Sequence, residues 1–150
     1  MKLSPTQRAY IAGFLDADGS IYVRAKPNGT YRFGYQIAPY IVFYQSSKSS
    51  SFKDMYSLLP FGRVRVRKDG VTEFIVSKRN DLIKFVEMVQ PFLILKQKQI
   101  ALLSKILREK ESVNNAKDFE KILQLCNEFQ NLNYSKKRKI RTLVPVETKC

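Results

Sequence analysis

The sequence predicts an α+β fold that runs helix, two strands, helix, two strands, helix, and ends in further helices. Small residues recur at helical spacing near the start, two pairs of strand-like segments flank hairpin turn signals, and the last third has helical periodicity. Hairpins imply an antiparallel sheet. The 150 residues permit one domain over residues 1–150, with a basic tail at about 134–150.

The first helix contains the segment Y-I-A-G-F-L-D-A-D-G at residues 10–19. Small residues recur there at four-residue spacing and place a face where another backbone can approach. They are Ala9, Gly13 and Ala17, and likewise Ala12 with Asp16. Because a glycine inside a helix costs roughly 1 kcal/mol relative to alanine, Gly13 needs a packing reason. A second helix would supply one, although the same residues could also pack within their own subunit.

Two carboxylates, Asp16 and Asp18, lie at the C-terminal end of this helix. The helix dipole is negative there and the two acids repel each other, so a bound cation would relieve both penalties. The alternative interpretation is that Asp18 and Gly19 only turn the chain.

The segment after the first helix alternates apolar with polar side chains, as a half-buried strand does. Its polar row consists of Tyr22, Arg24 and Lys26. Asn28-Gly29 then predicts a hairpin turn, and a longer strand is expected over about 31–45 with a bend at Pro39. This strand offers a second polar or aromatic row, formed by Gln36, Tyr40 and Tyr44.

A short helix is expected over 50–59, and a second hairpin over 63–76 with its turn at Asp69-Gly70. Three arginines, Arg63, Arg65 and Arg67, alternate there with Val64 and Val66. The guanidinium groups would project from one face while the valines meet the core. Such a row can pair with guanine in the major groove or bind phosphates, and a solvated sheet face is the alternative.

Helices complete the chain. Asn80 is expected to cap a helix over 81–90, Pro91 interrupts it, and further helices are predicted over 97–111 and 117–131.

Composition favours a nucleic-acid partner. Lys and Arg outnumber Asp and Glu by 27 to 13, and a net charge of +14 attracts polyanions. A ribosomal or membrane-surface protein could have the same charge. No apolar run reaches the roughly 18 to 20 residues that span a bilayer, and a motif starting at residue 10 leaves no room for a signal peptide, so we expect an intracellular protein without membrane contact.

The lack of histidine and the scarcity of cysteine exclude two kinds of catalytic or metal site. The chain contains no histidine, which removes every mechanism with a histidine base or ligand. Its two cysteines are too few for a four-cysteine zinc site.

The first helix resembles the signature helix of the LAGLIDADG homing endonucleases. The matching positions are Ala12, Gly13, Asp16, Asp18 and Gly19. The predicted element order agrees with the α-β-β-α-β-β-α order of that family, and Q-P-F-L-I-L-K-Q-K-Q at residues 90–99 is similar to a segment of its single-motif homodimeric members. The resemblance covers about residues 8–110. It implies a LAGLIDADG-type fold with an antiparallel DNA-binding β-saddle and, because there is one signature helix, a homodimer.

The resemblance also implies an active site. Asp18 and the backbone carbonyl of Ala17 would bind Mg²⁺, with Mn²⁺ as a substitute. Lys96 would stabilise developing charge or organise the attacking water, and Gln45 would join the water network. The family's next basic position is not retained, and Lys48 is its nearest replacement.

Further expected contacts fall into two groups. The dimer interface would contain Ala9, Ala12, Gly13 and Asp16. DNA contacts are expected from Tyr22, Arg24, Lys26, Asn28, Gln36, Tyr40, Tyr44, Lys48, Arg63, Arg65, Arg67, Lys98, Lys136, Lys137, Arg138 and Lys139.

These expectations describe a site-specific, double-strand DNA endonuclease of intron homing that recognises a long pseudo-palindromic site. An RNA-splicing maturase of the same fold, whose partner would be RNA, and a non-catalytic nucleic-acid-binding protein remain alternatives. The joint presence of Asp18, Gln45 and Lys96 favours the nuclease.

Overall fold

The computed structural model describes residues 2–133, and its element order confirms the predicted α+β fold. The helices are α1 (Pro5–Asp18), α2 (Phe52–Tyr56), α3 (Arg79–Val89), α4 (Gln97–Glu111) and α5 (Ala116–Leu132), and a 3₁₀ turn covers Gln90–Phe92. The strands are β1 (Gly19–Pro27), β2 (Tyr35–Ser46), β3 (Arg63–Val66) and β4 (Val71–Val76). They form one sheet in the order β1-β2-β4-β3. In the part of the chain that is described, no helix is long and apolar enough to cross a bilayer.

The described residues divide into two compact units. The first comprises residues 2–21 and 40–97, and the second comprises residues 22–39 and 98–133.

The first unit has an aromatic core centred on Phe43 of β2, which is fully buried. Its ring lies 5.6 Å from that of Phe14 on α1 and 5.8 Å from that of Phe85 on α3. Phe74 of β4 lies directly opposite Phe43 in the antiparallel register, with ring centroids 6.3 Å apart. One face of the β2-β4 portion of the sheet therefore packs against α1 and α3.

The start of α1 is fixed by its sequence and by α3. Ser4 and Gln7 form a reciprocal capping box, and Pro5 supplies a first helical position without an N–H. The Arg8 guanidinium donates to the backbone carbonyls of Met88 and Glu87 at the end of α3, at 2.9 and 3.2 Å. A cation at a helix C-terminus is favourable, so this contact stabilises the docking of α1 on α3.

The second unit packs α5 against residues of the first hairpin. The rings of Phe33 and Phe119 stack with centroids 5.0 Å apart, and Lys110 of α4 donates to the backbone carbonyl of Ile37 at 3.1 Å. Ile100 and Ile122 are fully buried.

Several predicted boundaries were wrong. The first hairpin does not turn tightly at Asn28-Gly29: residues 28–34 form the loop, closed by the Asn28 N–H on the Gly34 carbonyl at 2.8 Å, and Gly34 takes the left-handed φ of 82°. Strand β2 thus starts at Tyr35. Lys78, rather than Asn80, precedes α3, because the Leu82 N–H already bonds the Lys78 carbonyl.

Strand β3 also departs from expectation. Val64 lies opposite the buried Phe74 and therefore points to the helix-covered face, as predicted. Yet Val64 is 44% exposed and Val66 is 69% exposed. Tyr56 of α2 stacks on Phe74 with centroids 5.0 Å apart. The aromatic cover reaches β4, whereas β3 is the next strand outward, at the sheet edge, so its valines do not meet the core.

The entry into β3 depends on Gly62. Its φ is 103°, and an added Cβ would lie 2.2 Å from the Phe74 ring. We expect Gly62→Ala to lower the free energy of unfolding by about 2 to 4 kcal/mol, through backbone strain and a clash with a packed ring. The free energy of unfolding is measured by urea titration, with circular dichroism as the signal. Gly29→Ala is the control, since its Cβ would meet nothing within 4 Å, and equal stability of both variants would contradict this packing.

Candidate active site and nucleic-acid interface

One face of α1 is open in the single chain. Ala9, Tyr10, Gly13 and Ala17 are exposed, and a Cβ built on Gly13 would meet nothing within 4 Å. No neighbour in the described chain supplies the packing reason that a mid-helix glycine needs. Ala12, by contrast, is fully buried inside the first unit, so it does not belong to the exposed face where the sequence analysis placed it.

Asp16 bonds its own chain rather than the open face. Its Oδ2 accepts the backbone N–H groups of Ile94 and Leu95 at 2.7 and 3.1 Å, and its Oδ1 accepts the backbone N–H of Lys96 at 3.1 Å. Three amide donors converge on one carboxylate, which offsets the unfavourable helix dipole at this end of α1. Asp16 was expected in the dimer interface. Its contacts instead favour a role within its own chain.

Lys96 reaches the same end of α1. Its Nζ donates to the backbone carbonyl of Asp16 at 2.9 Å, and this carbonyl belongs to the last turn of the helix, where carbonyls lack intrahelical partners. The ammonium group is part-buried. We name this set of four hydrogen bonds between Asp16 and residues 94–96 the Asp16 clamp. Lys96 is thereby bonded to Asp16, the residue two positions before Asp18.

Asp18 has a different environment from Asp16. It is the last residue of α1, it is exposed, and among residues 2–133 its carboxylate makes no hydrogen bond or ion pair. Ala17 beside it is also exposed. The two acids of the motif thus have different environments: Asp16 accepts three backbone amides, whereas Asp18 accepts no hydrogen bond within the described residues.

Gln45 and Lys48 lie at the distal end of β2 and in the turn that follows. The Gln45 side chain accepts the backbone N–H of Ser46 at 3.2 Å, and Lys48 is exposed. Within the described ranges neither side chain bonds α1 or Lys96. The structure therefore brings Lys96 to the end of α1 but does not join Gln45 or Lys48 to it.

The outer face of β2, β4 and β3 in the first unit carries arginines and one acid. In the register, Tyr44, Glu73 and Arg65 are directly opposite one another on neighbouring strands. Glu73 lies 3.9 Å from Arg65 and 3.4 Å from Arg67, measured between Nη1 and a carboxylate oxygen in each pair. Arg67 also pairs with Asp69 in the hairpin loop. Arg63 lines an open pocket of about 500 Å³ with Lys78 and Asp81.

In the second unit, the predicted row on β1 is confirmed as outward-facing. Val23 is buried while Arg24 is exposed, and the Arg24 guanidinium lies 5.5 Å from the Tyr22 ring centroid. Asn28 forms an Asx turn, in which its Oδ1 accepts both the backbone N–H and the hydroxyl of Thr30 at 3.0 and 2.7 Å. Lys98 is exposed at the start of α4.

The other residues predicted to contact DNA are either half-buried or outside the described part of the chain. Lys26, Gln36 and Tyr40 are half-buried. The basic residues of the tail, Lys136, Lys137, Arg138 and Lys139, lie outside the described residues.

The described part of the chain contains neither a reactive cysteine nor a cluster of metal-binding side chains. Burial raises the pKa of the Cys126 thiol from 9.0 to about 12, so at neutral pH the free thiol stays protonated and is a poor nucleophile. Among residues 2–133, no three His, Cys, Asp or Glu side chains come together as a metal-holding group.

The fold belongs to a recognised class. Residues 11–107 match the LAGLIDADG endonuclease family over more than half of the chain. The chain therefore belongs to the LAGLIDADG endonuclease family, and the predicted resemblance is confirmed.

Two relatives are similar over most of their length. DNA endonuclease I-CreI from Chlamydomonas reinhardtii is 37% identical over 134 residues, which cover 87% of this chain and 80% of the relative. DNA endonuclease I-CvuI from Chlorella vulgaris is 30% identical over 133 residues, which cover 88% of this chain and 83% of the relative.

Solved structures agree with this assignment. I-CvuI in complex with its target Sro1.3 in the presence of 2 mM Ca is similar with a TM-score of 0.83 and 29% identity, over 91% of this chain and 87% of that one. I-CvuI with the I-CreI target C1221, in 2 mM Mg with the DNA uncleaved, has a TM-score of 0.82 and 29% identity over 89% and 86% of the two chains.

Sequence reasoning missed two features of the site. The amides of residues 94–96 carry no side-chain signature, so no residue pattern identifies them as the partners of Asp16. Glu73 could have been found, because it stands on the alternating segment of the second hairpin where an acid interrupts the basic face.

Proposed function

We propose that this chain is a homodimeric, site-specific DNA endonuclease of the intron-homing type, which hydrolyses both strands of a duplex with a divalent metal ion. The observation that carries the proposal is the arrangement at the end of α1. The Asp18 carboxylate, which is exposed and has no hydrogen bond or ion pair among residues 2–133, ends a helix whose last turn is bonded by the Lys96 ammonium. Membership of a family whose relatives are DNA endonucleases supports the same activity.

The open face of α1 supports the homodimer. Gly13 has free space where a Cβ would stand, and Tyr10 is 58% exposed on the same face. Ile94 and Leu95, which the Asp16 clamp holds at the end of α1, are 81% and 72% exposed. Exposed apolar side chains on this helix and beside its end suit a second copy of the same helix, which would bring a second Asp18 close to the first.

The residues at the end of α1 fit a magnesium ion. Mg²⁺ prefers oxygen ligands, and the Asp18 carboxylate with the carbonyl of Ala17 supplies them at a helix C-terminus, where the dipole favours a cation. When bound, the metal would supply an activated water and charge stabilisation for the leaving 3′ oxygen. Asp18 would hold the ion, and Lys96 would place a positive charge beside the scissile phosphate, where negative charge develops.

DNA recognition would use the outer face of the sheet. Arg65 is the freest of the arginines that Glu73 pairs, since its side chain is 66% exposed and its ion pair is 3.9 Å long. Arg67 is held by two acids. We therefore assign base reading to Arg65 first, and phosphate contact to the polar row on β1, which consists of Tyr22, Arg24 and Lys26. A maturase or a binding protein would use the same surface without needing Asp18.

We expect Asp18→Asn to abolish cleavage while DNA binding persists. The substitution removes the charge that holds the metal with little change in shape, whereas binding depends on the basic surface.

A target is first recovered by incubating the protein with a randomised plasmid library in Mg²⁺ and sequencing the cut ends. Single-turnover cleavage and affinity are then measured on that duplex. Asp54→Asn, an exposed acid on α2, is the control. A rate near that of the wild type in Asp18→Asn would remove Asp18 from the metal site.

Arg65→Ala should relax base preference at one symmetric pair of target positions, by about 1 to 3 kcal/mol, because a bidentate contact to guanine discriminates to this extent. The base preference is measured from the affinities for duplexes that are substituted at each target position in turn. Lys84→Ala, which removes the same charge from an exposed position on α3, serves as the control and should change no base preference. Uniform weakening across all duplexes would make Arg65 a phosphate contact instead.

Gly13→Leu should prevent the close approach of two α1 helices, since the added volume enters a face that is open in one chain and filled in a dimer. We expect the wild type to sediment as a dimer and the variant as a folded monomer without double-strand cleavage. Circular dichroism checks the fold. A wild type that stays monomeric on its target, or an active Gly13→Leu dimer, would contradict the proposed interface.

A further inference from the structure

Residues 94 and 95 have little side-chain burial to hold them in place. Ile94 and Leu95 are 81% and 72% exposed, whereas Leu93 before them is buried. The Gln97 side chain donates to the carbonyls of Gln90 and Leu93, which shapes the turn but does not tie it to α1. The tie to α1 comes from the three backbone amides that bond the Asp16 carboxylate.

The position of Lys96 is fixed twice by the same residue. Its backbone N–H donates to Asp16 Oδ1 at 3.1 Å, and its Nζ donates to the Asp16 carbonyl at 2.9 Å. Both ends of the lysine are thus bonded to one residue 80 positions earlier in the chain. A long, flexible side chain that would otherwise sample many rotamers is held in one place.

We infer that Asp16 is the positioning residue for Lys96, acting through the amides of residues 94–96 and through its own backbone carbonyl. It is neither a metal ligand nor a dimer contact in this account, because both carboxylate oxygens are already occupied by N–H donors. The inference rests on the proposed role of Lys96 in cleavage. It adds that the first acid of the motif serves catalysis by placing a lysine, while the second acid, Asp18, serves it directly.

A double-mutant cycle tests this inference. Asp16→Asn, Lys96→Met and the double variant are compared with the wild-type homodimer on the duplex recovered from the plasmid library. Single-turnover cleavage at saturating protein is measured in Mg²⁺, and the affinity for the duplex is measured in Ca²⁺. Asp16→Asn keeps the shape of the side chain but replaces one acceptor oxygen with an NH₂ donor that faces backbone N–H groups.

We expect Lys96→Met and Asp16→Asn each to lower the cleavage rate, the latter by about tenfold to a hundredfold, because misplacing a catalytic group by an ångström costs on that order. Affinity should stay within about threefold of the wild type for both, since the basic surface is unchanged. The double variant should cut no more slowly than Lys96→Met alone, because Asp16 has nothing left to position.

The outcomes separate this inference from the proposed function. A Lys96→Met rate equal to that of the wild type would remove the role of Lys96, and the inference with it. A normal rate in Asp16→Asn with an impaired Lys96→Met would overturn the inference alone. Multiplied losses in the double variant, or a fall in affinity with Asp16→Asn, would assign Asp16 a separate role.

Two further measurements guard against a general loss of structure. Amide hydrogen exchange at residues 94–96 should accelerate in Asp16→Asn and stay unchanged in Asp54→Asn, which makes the same chemical change on α2. If Asp16→Asn does not fold, Asp16→Glu enters the same cycle, because it keeps both acceptor oxygens and displaces them by one methylene. The same non-additivity with Lys96→Met is expected, and additive losses would overturn the inference.

Discussion

The contacts between α1 and residues 87–96 are the constraint on which the candidate site depends. Arg8 bonds the carbonyls at the end of α3, and the Asp16 clamp bonds the segment that follows it. Both ends of α1 are thereby fixed to parts of the chain nearly 80 residues away. With α1 held in this way, Asp18 stands at a defined point, and Lys96 reaches the same end of the helix by a bond to the Asp16 carbonyl.

Charge is distributed differently at the helix end and on the sheet. At the end of α1, three backbone amides bond the half-buried Asp16 carboxylate, the Lys96 ammonium bonds the Asp16 carbonyl, and Asp18 stays unpaired within the described chain. On the outer sheet face, Glu73 pairs with Arg65 at 3.9 Å and with Arg67 at 3.4 Å, and Arg67 also pairs with Asp69, so Arg67 is held more firmly than Arg65. Because ion pairs of exposed side chains contribute little stability, these contacts add little to the free energy of unfolding.

Elements with local signals could be predicted from the sequence, whereas long-range contacts could not. Helix α4 was placed correctly over 97–111, because its apolar period and the preceding proline are local features. The exposure of Val66 was missed, since alternation identifies the face of a strand but not how far the covering helices extend. The partners of Asp16 were missed for a stronger reason: they are backbone amides, which every residue except proline possesses.

The central claim is that the two acids of the motif are divided between support and metal binding. A crystal of the protein with its target duplex and Mn²⁺, measured by anomalous scattering, tests it most directly. The account predicts a metal peak at about 2 Å from a carboxylate oxygen of Asp18 and from the carbonyl oxygen of Ala17. The Asp16 carboxylate should still accept the amides of residues 94–96. A metal bound by Asp16, with those amides released, would contradict the account.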